Sequence, residues 1–327
     1  MSRVAHNFEQ LKIKLPQWVA QSGAQIYLQS PVVDVIREPE GVRGLIIMTP
    51  DGLRAIRAKV VVDATGDALV ADLAGAAFEM GREEDGLVQP TSLMFTVAGI
   101  EEERVNRDAY GTVFNDWRTK DMTLKEQGEL AGERGLLPKY ASLVRLYKTT
   151  RRGERMVNTS QANFINGTDV EDITKAELDL RDQIEHITQF LRGNVSGFEN
   201  CYVLNSSNTL GVRESRRILG EYILQEEDLL RGKKFEDVVV HNVRFMLDIH
   251  GVKTGGQDNR TPVQPYDIPY RCLLPRDVNG LIVVGRGISG THVAHSSYRV
   301  MNIVMAIGQA GGVAAALSAH TDTQPRK

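Results

Sequence analysis

The sequence is poor in several features that mark specialised classes of protein. Its two cysteines, Cys201 and Cys272, are far apart in a chain of 327 residues, so they cannot form a thiolate cluster alone and only weakly suggest a disulfide. The net charge is −3 and basic residues are spread along the chain, which excludes the clustered basic face of a nucleic-acid-binding protein. The N-terminal residues lack the apolar core of a signal peptide. We therefore expect a cytoplasmic protein that binds no nucleic acid.

Long apolar runs are also scarce. The most apolar segment, residues 300–317, is interrupted by Asn302 and Gln309 and is rich in glycine and alanine, whereas a membrane span needs about 20 apolar residues. We interpret this segment as a buried helix packed closely on a sheet, and we expect no membrane span. Because single cores stop growing at roughly 250–300 residues, we expect two interleaved domains rather than one.

The N-terminal part of the chain reads as one helix followed by a run of strands. Apolar residues at helical spacing predict a helix over residues 8–21, and Gly23 follows as a stop signal. The turn sequences Pro39-Glu40-Gly41 and Pro50-Asp51-Gly52 separate apolar runs, which predicts a β-meander. Its strands are expected at residues 26–28, 32–36, 42–48, 53–57 and 59–63, the last of which leads into Ala64-Thr65-Gly66-Asp67.

The rest of the chain is mixed. Residues 101–153 are polar and irregularly periodic, which suggests a helical insertion, and residues 169–191 form the clearest amphipathic helix. Further strands are expected at residues 92–100, 156–165, 201–204 and 281–284, and a dense charged cluster occupies residues 213–217. We predict a polar loop over residues 291–298 and a final helix from about residue 299 to residue 317.

The stretch LIVVGRGISG, residues 281–290, raises the first functional question. Gly285, Gly287 and Gly290 have the spacing of a dinucleotide fingerprint, in which a strand turns directly into a helix and a second strand follows. A polar loop follows these glycines and we expect no second strand, so an NAD-linked dehydrogenase stays only an alternative. A strand, small residues and a helix N-terminus also suit a flat ligand that carries negative charge, such as reduced flavin.

Four stretches, in order through nearly all of the chain, carry a resemblance to a known family. They are VVVDATGDALVADLAG (60–75), GVRESRRILGEYIL (211–224), DIH with YDIPYRCLLP (248–250 and 266–275), and LIVVGRGISGTHVAHSSYRVMNIVMAIGQAGGVAAAL (281–317). Together they resemble the FAD-dependent oxidoreductases of the glutathione-reductase-like flavoprotein superfamily, in the branch related to the flavin subunit of heterodisulfide reductase.

The resemblance implies a fold and a domain plan. The fold is α/β, with a partial FAD/NAD(P)-binding domain that contains the β-meander and an inserted α+β substrate domain. Residues 1–75 and 261–327 are expected to form the two parts of the FAD-binding domain, and residues 76–260 the substrate or cap domain. Relatives in this branch can carry iron–sulfur clusters, which usually require four cysteine ligands, so we expect no metal bound by this chain alone.

The resemblance also implies site residues. FAD is expected to contact Val33, Ala64, Thr65, Gly66, Asp67, Gly285, Arg286, Gly287, Ser289, Arg299, Val300 and Met301. A histidine can act as a general base near neutral pH, which makes His292 and His295 the candidate bases. Arginine forks suit carboxylate or sugar oxygens, so Arg213, Arg216 and Arg271 are candidate clamps on the substrate or the flavin.

One departure from the family affects the functional prediction. The family normally opens with its own glycine-rich βαβ unit of at least ~30 residues, which holds the ADP half of FAD, and this sequence begins after that point. A truncated sequence, a partner subunit that supplies the unit, or loss of FAD would each explain the difference. We expect an FAD-dependent oxidoreductase, or its flavin-facing fragment or subunit, that moves a hydride from a small organic substrate to flavin N5. A non-catalytic binding or scaffold subunit is the alternative.

Overall fold

The computed structural model describes residues 7–105, 118–119 and 122–327, and it is a mixed α/β structure with several sheets. The helices are α1 (Phe8–Gln21), α2 (Leu69–Leu73), α3 (Leu124–Glu133), α4 (Val170–Asn194), α5 (Glu226–Arg231), α6 (His292–Tyr298) and α7 (Met301–Thr321). The strands are β1 (Val32–Glu38), β2 (Gly41–Thr49), β3 (Gly52–Arg57), β4 (Val61–Asp63), β5 (Phe78–Met80), β6 (Phe95–Ala98), β7 (Arg118–Thr119), β8 (Met122–Thr123), β9 (Leu146–Lys148), β10 (Arg155–Val157), β11 (Tyr202–Ser206), β12 (Arg216–Ile218), β13 (Val238–Val243), β14 (Ile249–His250), β15 (Gln257–Asn259), β16 (Tyr266–Pro269) and β17 (Leu281–Val283).

The chain divides into two compact units, each built from separate segments. The first unit contains Met1–Ile26, Gln89–Arg213 and His250–Gln257. The second unit contains Tyr27–Val88, Glu214–Ile249 and Asp258–Lys327. The expected domains at residues 1–75, 76–260 and 261–327 stay a prediction.

The first unit is built on a four-stranded sheet in the order β11-β6-β10-β9. The long helix α4 begins at Asp169, whose carboxylate accepts hydrogen bonds from the backbone of Glu171 and Asp172 and so satisfies donors at the helix start. Apolar side chains of α4 spaced three or four residues apart form one core cluster with the inner face of the sheet. The predicted helix over residues 169–191 is therefore confirmed.

Two predicted segments of the first unit differ from the structure or lie partly outside its described residues. The strand predicted over residues 156–165 is mostly wrong, because β10 ends at Val157 and the following amide side chains bond elsewhere. Gln161 and Asn163 are buried and donate to backbone carbonyls of Gly251 and Thr254, which fixes an irregular backbone. The helical insertion predicted at 101–153 includes α3, but residues 106–117 and 120–121 lie outside the described part of the chain.

The predicted β-meander is confirmed in the second unit. Strands β1, β2 and β3 form an antiparallel sheet in that order, and tight turns join Glu38 to Gly41 and Thr49 to Gly52. The strand expected at residues 26–28 is wrong, since these residues pair with no neighbour in the described structure and Leu28 is exposed. A short apolar run cannot remain a strand without a partner to satisfy its backbone.

The core of the second unit lies around the parallel pair β4–β17, where Leu281 faces Val61 and Val283 faces Asp63. Helix α7 packs closely on β17 and the residue after it, because a Cβ added to Gly311 would come within 2.3 Å of Val284 Cγ1 and 3.5 Å of Ile282 Cγ2. The predicted final helix is confirmed, although it begins at Met301, but its expected burial is wrong because only one side of it faces the core. By length and composition α7 could also cross a membrane. Its most apolar 18-residue window has a mean hydropathy of 1.4, and 22% of that window is buried.

The polar loop predicted over residues 291–298 is wrong, because these residues form α6. Thr291 caps the helix by accepting a hydrogen bond from the Ala294 amide. The serine side chains of α6 are buried and their hydroxyls donate to backbone carbonyls, so these polar residues face the core with their hydroxyls paired. Hydrophobic periodicity cannot detect such a helix.

Candidate functional site

The segments that follow β4 and β17 lie at the same edge of the second unit, because the two strands are parallel. The Val284 amide donates to the Asp63 carbonyl at 2.9 Å, which continues the pairing to the end of both strands. Ligands of α/β sheets bind at the carboxyl ends of strands. This edge is therefore the candidate position for a ligand site.

Asp63, at the end of β4, organises the loop that follows. One carboxylate oxygen accepts hydrogen bonds from the Thr65 amide at 2.9 Å and its hydroxyl at 2.7 Å, and the other accepts from the Ala71 amide at 3.0 Å. The Thr65 hydroxyl in turn accepts from the Leu69 amide. Asp63 is buried, so these bonds replace its water and fix residues 64–71.

Arg286, which follows β17, lies across this loop. Gly66 has a φ of +82°, and a Cβ added to it would come within 2.5 Å of Arg286 Nη1. Asp67 Oδ1 accepts from Arg286 Nη2 at 2.5 Å and from the Ser215 hydroxyl at 2.6 Å. The two loops are thus joined by one carboxylate, and the guanidinium lies where only a glycine leaves room for it.

A buried ionic network stands beside this loop pair. Glu214 is fully buried, and its Oε1 contacts both Arg217 Nη1 and, at 2.9 Å, His292 Nδ1 at the start of α6. Arg217 also donates to the carbonyls of Gly290 and Gly81, each at 2.9 Å. Every one of these contacts is charge-assisted or buried, which makes the network rigid.

His295 lies one helical turn farther along α6 and differs from His292. It is fully buried, and neither of its ring nitrogens has a hydrogen-bond partner in the described part of the chain. Burial lowers the pKa of His295 well below its ordinary value, and Arg217, Arg299 and His292 lower it further. Its ring meets the Tyr298 ring edge-on at 5.4 Å, so His295 is a neutral imidazole in a cationic environment.

Over residues 1–327 the sequence matches the family described as FAD dependent oxidoreductase. The chain belongs to this FAD-dependent oxidoreductase family. FAD is therefore its cofactor, as the sequence predicted. No curated protein matches the sequence.

Several solved structures are similar to this chain at low identity. One is a geranylgeranyl bacteriochlorophyll reductase-like protein from Thermoplasma acidophilum, with 13% identity, a TM-score of 0.41 and coverage of 95% of this chain and 52% of that one. Another is a triple mutant of the flavin-dependent brominase Bmp2, with 13% identity, a TM-score of 0.44 and coverage of 94% and 55%. A third is p-nitrophenol 4-monooxygenase PnpA from Pseudomonas putida DLL-E4, with 12% identity, a TM-score of 0.33 and coverage of 59% and 38%. This chain spans about half the length of the first two.

The residues at the strand ends fit FAD. Arg286 Nε is buried without a partner among the described residues, as are both ring nitrogens of His295, and buried polar atoms normally have partners. A Cβ added to Gly285, whose φ is +80°, would meet nothing within 4 Å, so the backbone there is open to a ligand. FAD carries phosphate oxygens and ring carbonyls that can accept from such donors.

The structure places the other expected FAD contacts at several points of the second unit. Arg299 joins α6 to α7 and donates to the Asp248 carbonyl at 2.9 Å, and burial lowers the pKa of its guanidinium. Val300 and Met301 begin α7, whose N-cap has no side-chain hydrogen bond. The Ser289 hydroxyl accepts from the Gly220 amide at 3.0 Å. The remaining expected contacts are Ala64 beside Asp63, Gly287 after Arg286, and Val33 on β1, which is exposed.

The three arginines expected to clamp a ligand are each engaged with the protein. Arg213 belongs to the first unit and donates to the Pro90 carbonyl at 2.6 Å. Arg216 pairs with an Asp72 oxygen at 2.9 Å. Arg271 pairs with both carboxylate oxygens of Asp237 at 2.9 and 3.1 Å and is half-exposed. None of these contacts brings an arginine to the His292 network.

Two residues of this region, Asp63 and Asp248, were not expected from the sequence as site residues. Glu214 and Arg217 were expected only as members of the charged cluster at residues 213–217, without a role of their own. The signal that could have found Glu214 and Arg217 is the charged cluster at residues 213–217. Part of this cluster lies in β12, and charged residues are rarely buried in a protein unless they are paired. Its two buried charged members, Glu214 and Arg217, form the ion pair, whereas Arg216 remains partly exposed.

Proposed function

We propose that this chain carries the flavin-facing part of an FAD-dependent oxidoreductase that oxidises a small organic substrate in the cytoplasm. The observation that supports this most strongly is the loop pair at the ends of β4 and β17, where Arg286 bridges to Asp67 over Gly66. We further propose that the second unit is arranged as in glutathione-reductase-like flavoproteins, in the branch related to the heterodisulfide reductase flavin subunit.

Within this proposal, the protein's own residues hold the cofactor. Bound FAD supplies a two-electron acceptor, N5 of the flavin, for a hydride from a substrate C–H bond. Arg286, Thr65 and the backbone of Gly66 and Gly285 would hold its phosphate-bearing part. The N-terminus of α7 at Met301 carries partial positive charge and would favour negative charge on the flavin ring.

Two observations favour the proposed enzyme over an NAD-linked dehydrogenase and over a non-catalytic scaffold. An NAD-linked dehydrogenase needs the glycines after β17 to open a long helix directly, whereas a 3₁₀ turn, Gly285–Gly287, and the seven-residue α6 follow β17. A non-catalytic scaffold has no use for buried donors such as Arg286 Nε that lack a partner among the described residues. The proposed enzyme uses both features.

A spectrum of the purified protein tests the proposal. We expect flavin absorbance, or binding of added FAD with a rise in melting temperature that NAD does not produce. Arg286→Met should weaken FAD binding at least about tenfold, the loss of one charge-assisted contact. Arg57→Met removes an exposed arginine that pairs with Glu38 and serves as the matched control. Indifference to FAD in a folded preparation, with or without co-expressed neighbours, would leave only the scaffold alternative.

We also propose that a glycine-rich βαβ unit, in a partner subunit or in the same polypeptide, docks against α7. The α7 stripe, defined by Met301, Met305, Gly312, Val313, Ala316 and Leu317, is exposed and apolar. In the described structure β4 pairs as a strand only with β17, and a two-stranded parallel sheet is marginal by itself. A parallel strand and its helix would extend this sheet and cover the stripe.

Charge on the stripe tests this docking. Met305→Asp should abolish co-purification with a co-expressed βαβ unit, because it places an unpaired carboxylate in an apolar contact. Leu178→Asp changes an equally exposed leucine on α4 and should leave co-purification unchanged. Equal capture by both variants would exclude the stripe as the docking surface.

A further inference from the structure

His292 is oriented by a buried carboxylate. Its Nδ1 lies 2.9 Å from Glu214 Oε1, and Glu214 is fully buried. Its other ring nitrogen, Nε2, makes no hydrogen bond in the described part of the chain, and the side chain retains a small exposed area. An oriented imidazole with one nitrogen held and the other open is the arrangement that a general base requires.

We infer that Glu214 is a positioning residue that makes His292 Nε2 the proton acceptor of the reaction, and that His295 is not the base. The inference rests on the proposed function for the reaction that it serves. Sequence analysis did not select Glu214 by itself, although Glu214 belongs to the charged cluster at residues 213–217 and to the second of the four family-like stretches.

The role of Glu214 follows from hydrogen-bonding chemistry. An ionised carboxylate only accepts hydrogen bonds, so the His292 nitrogen that faces it must carry the proton. Neutral imidazole has one N–H, and fixing it at Nδ1 leaves the lone pair on Nε2. When the ring gains a second proton, at Nε2, the resulting imidazolium lies beside a carboxylate rather than alone in a buried site.

Arg217 completes the arrangement by fixing the carboxylate. Its guanidinium contacts Glu214 while two carbonyls, of Gly290 and Gly81, hold the other donors. These contacts hold the Glu214 carboxylate in place, with Oε1 facing the His292 ring.

The step balances for a substrate in which an O–H or N–H group is bonded to the carbon that carries the C–H. His292 Nε2 takes the proton of the O–H or N–H group, and its electron pair forms the C=O or C=N bond. The hydride of the broken C–H bond, with its two electrons, would pass to bound FAD, the two-electron acceptor of the proposed function. His292 would release its proton to solvent afterwards.

His295 does not meet these requirements. It is fully buried, and no carboxylate orients either of its nitrogens. Burial and the surrounding cations lower its pKa well below the ordinary value, so it would accept a proton poorly near neutral pH.

The tautomer of His292 can be measured without any substrate. The chain has seven histidines, and ¹⁵N-histidine labelling followed by long-range ¹H–¹⁵N correlation reports which nitrogen of each ring bears the proton. We expect the spectrum to show one imidazole that carries its proton at Nδ1. The signal of this ring should be absent from His292→Asn, which assigns it to His292. Glu214→Gln should convert it to a mixture of tautomers, and Glu214→Asp, which keeps a carboxylate, should restore part of the Nδ1–H signal.

Chemical modification gives a second readout. Diethyl pyrocarbonate reacts with an accessible imidazole lone pair, so peptide mapping of the wild-type protein should show carbethoxylated His292 and unmodified His295. Glu214→Gln should slow modification of His292 several-fold. Glu38→Gln, which removes the exposed partner of Arg57, is the matched control and should not change it. If Glu214→Gln fails to fold because Arg217 loses its counterion, Glu214→Gln combined with Arg217→Gln removes both charges and takes its place.

The outcomes separate this inference from the proposed function. An Nε2–H tautomer at His292 in the wild-type protein, or faster modification of His295 than of His292, would overturn the assignment even if FAD binds. Absence of FAD binding with the expected tautomer and modification pattern would instead sink the proposed function and leave the Glu214–His292 pair without its reaction.

Discussion

Arg286 lies so close over Gly66 that a single added methyl group would collide with it, with the new Cβ 2.5 Å from Nη1. The contact joins the loop after β4 to the loop after β17, and Asp67 reinforces it by pairing with the same guanidinium. Because the backbone of Gly66 is also left-handed, with φ at +82°, an L side chain is disfavoured there for two independent reasons.

Gly66→Ala should therefore destabilise the second unit and weaken FAD binding together. We expect a loss of roughly 1–3 kcal/mol in the free energy of unfolding from backbone strain, plus displacement of Arg286 from Asp67. Gly86→Ala is the matched control, since Gly86 has a φ of +70° and no atom within 4 Å of an added Cβ. Chemical denaturation and FAD titration measure both effects, and equal FAD affinity in the two variants would contradict the collision.

Asp63→Asn tests whether one carboxylate organises the loop that follows β4. The asparagine amide can accept through only one atom, so either the Thr65 or the Ala71 amide loses its partner. We expect the free energy of unfolding to fall by about 1–3 kcal/mol. Asp51→Asn alters an exposed carboxylate in the β2–β3 turn and should have a smaller effect. The melting temperatures of the two variants decide the matter.

Two glycines of α7 should respond to alanine in opposite directions. Gly311→Ala places a methyl group within 2.3 Å of Val284 Cγ1 and should destabilise the protein by about 1–3 kcal/mol through overpacking. Gly308→Ala meets nothing within 4 Å and should stabilise the helix by roughly 0.5–1 kcal/mol, the usual gain over glycine. Thermal unfolding of both variants checks the sign, and a destabilised Gly308→Ala would mean that α7 is packed differently.

The sequence predicted those parts of the fold that hydrophobic periodicity or turn chemistry controls. Helix α1, helix α4 and the meander turns at Gly41 and Gly52 all depend on neighbours within a few residues. Helix α6 was missed because its buried face is made of histidine and serine, whose burial is decided by partners elsewhere in the chain. Local pattern carries no information about those partners.

The same limit applied to the site. The loop residues Thr65, Gly66 and Arg286 could be selected because glycine-rich turns after strands are local features. Arg217, by contrast, is held by hydrogen bonds to carbonyls 73 and 136 residues away in the chain. Its neighbour Arg216 contacts solvent and Asp72 instead. Composition made the two arginines equivalent, and only tertiary structure separated them.

His295 predicts a pH dependence of stability with a definite sign. Its pKa in the folded protein lies well below that of an unfolded histidine, so the unfolded state binds the proton first as the pH falls. Stability should therefore decrease below about pH 6.5, by at most ~1.4 kcal/mol per pH unit from this group, down to the folded pKa. His295→Phe keeps an aromatic ring beside Tyr298 without a titrating nitrogen and should flatten that slope, whereas His186→Gln, on the exposed face of α4, should retain it. Denaturation curves between pH 5 and 8 measure the slope, and a wild-type slope in His295→Phe would show that the imidazole is solvated.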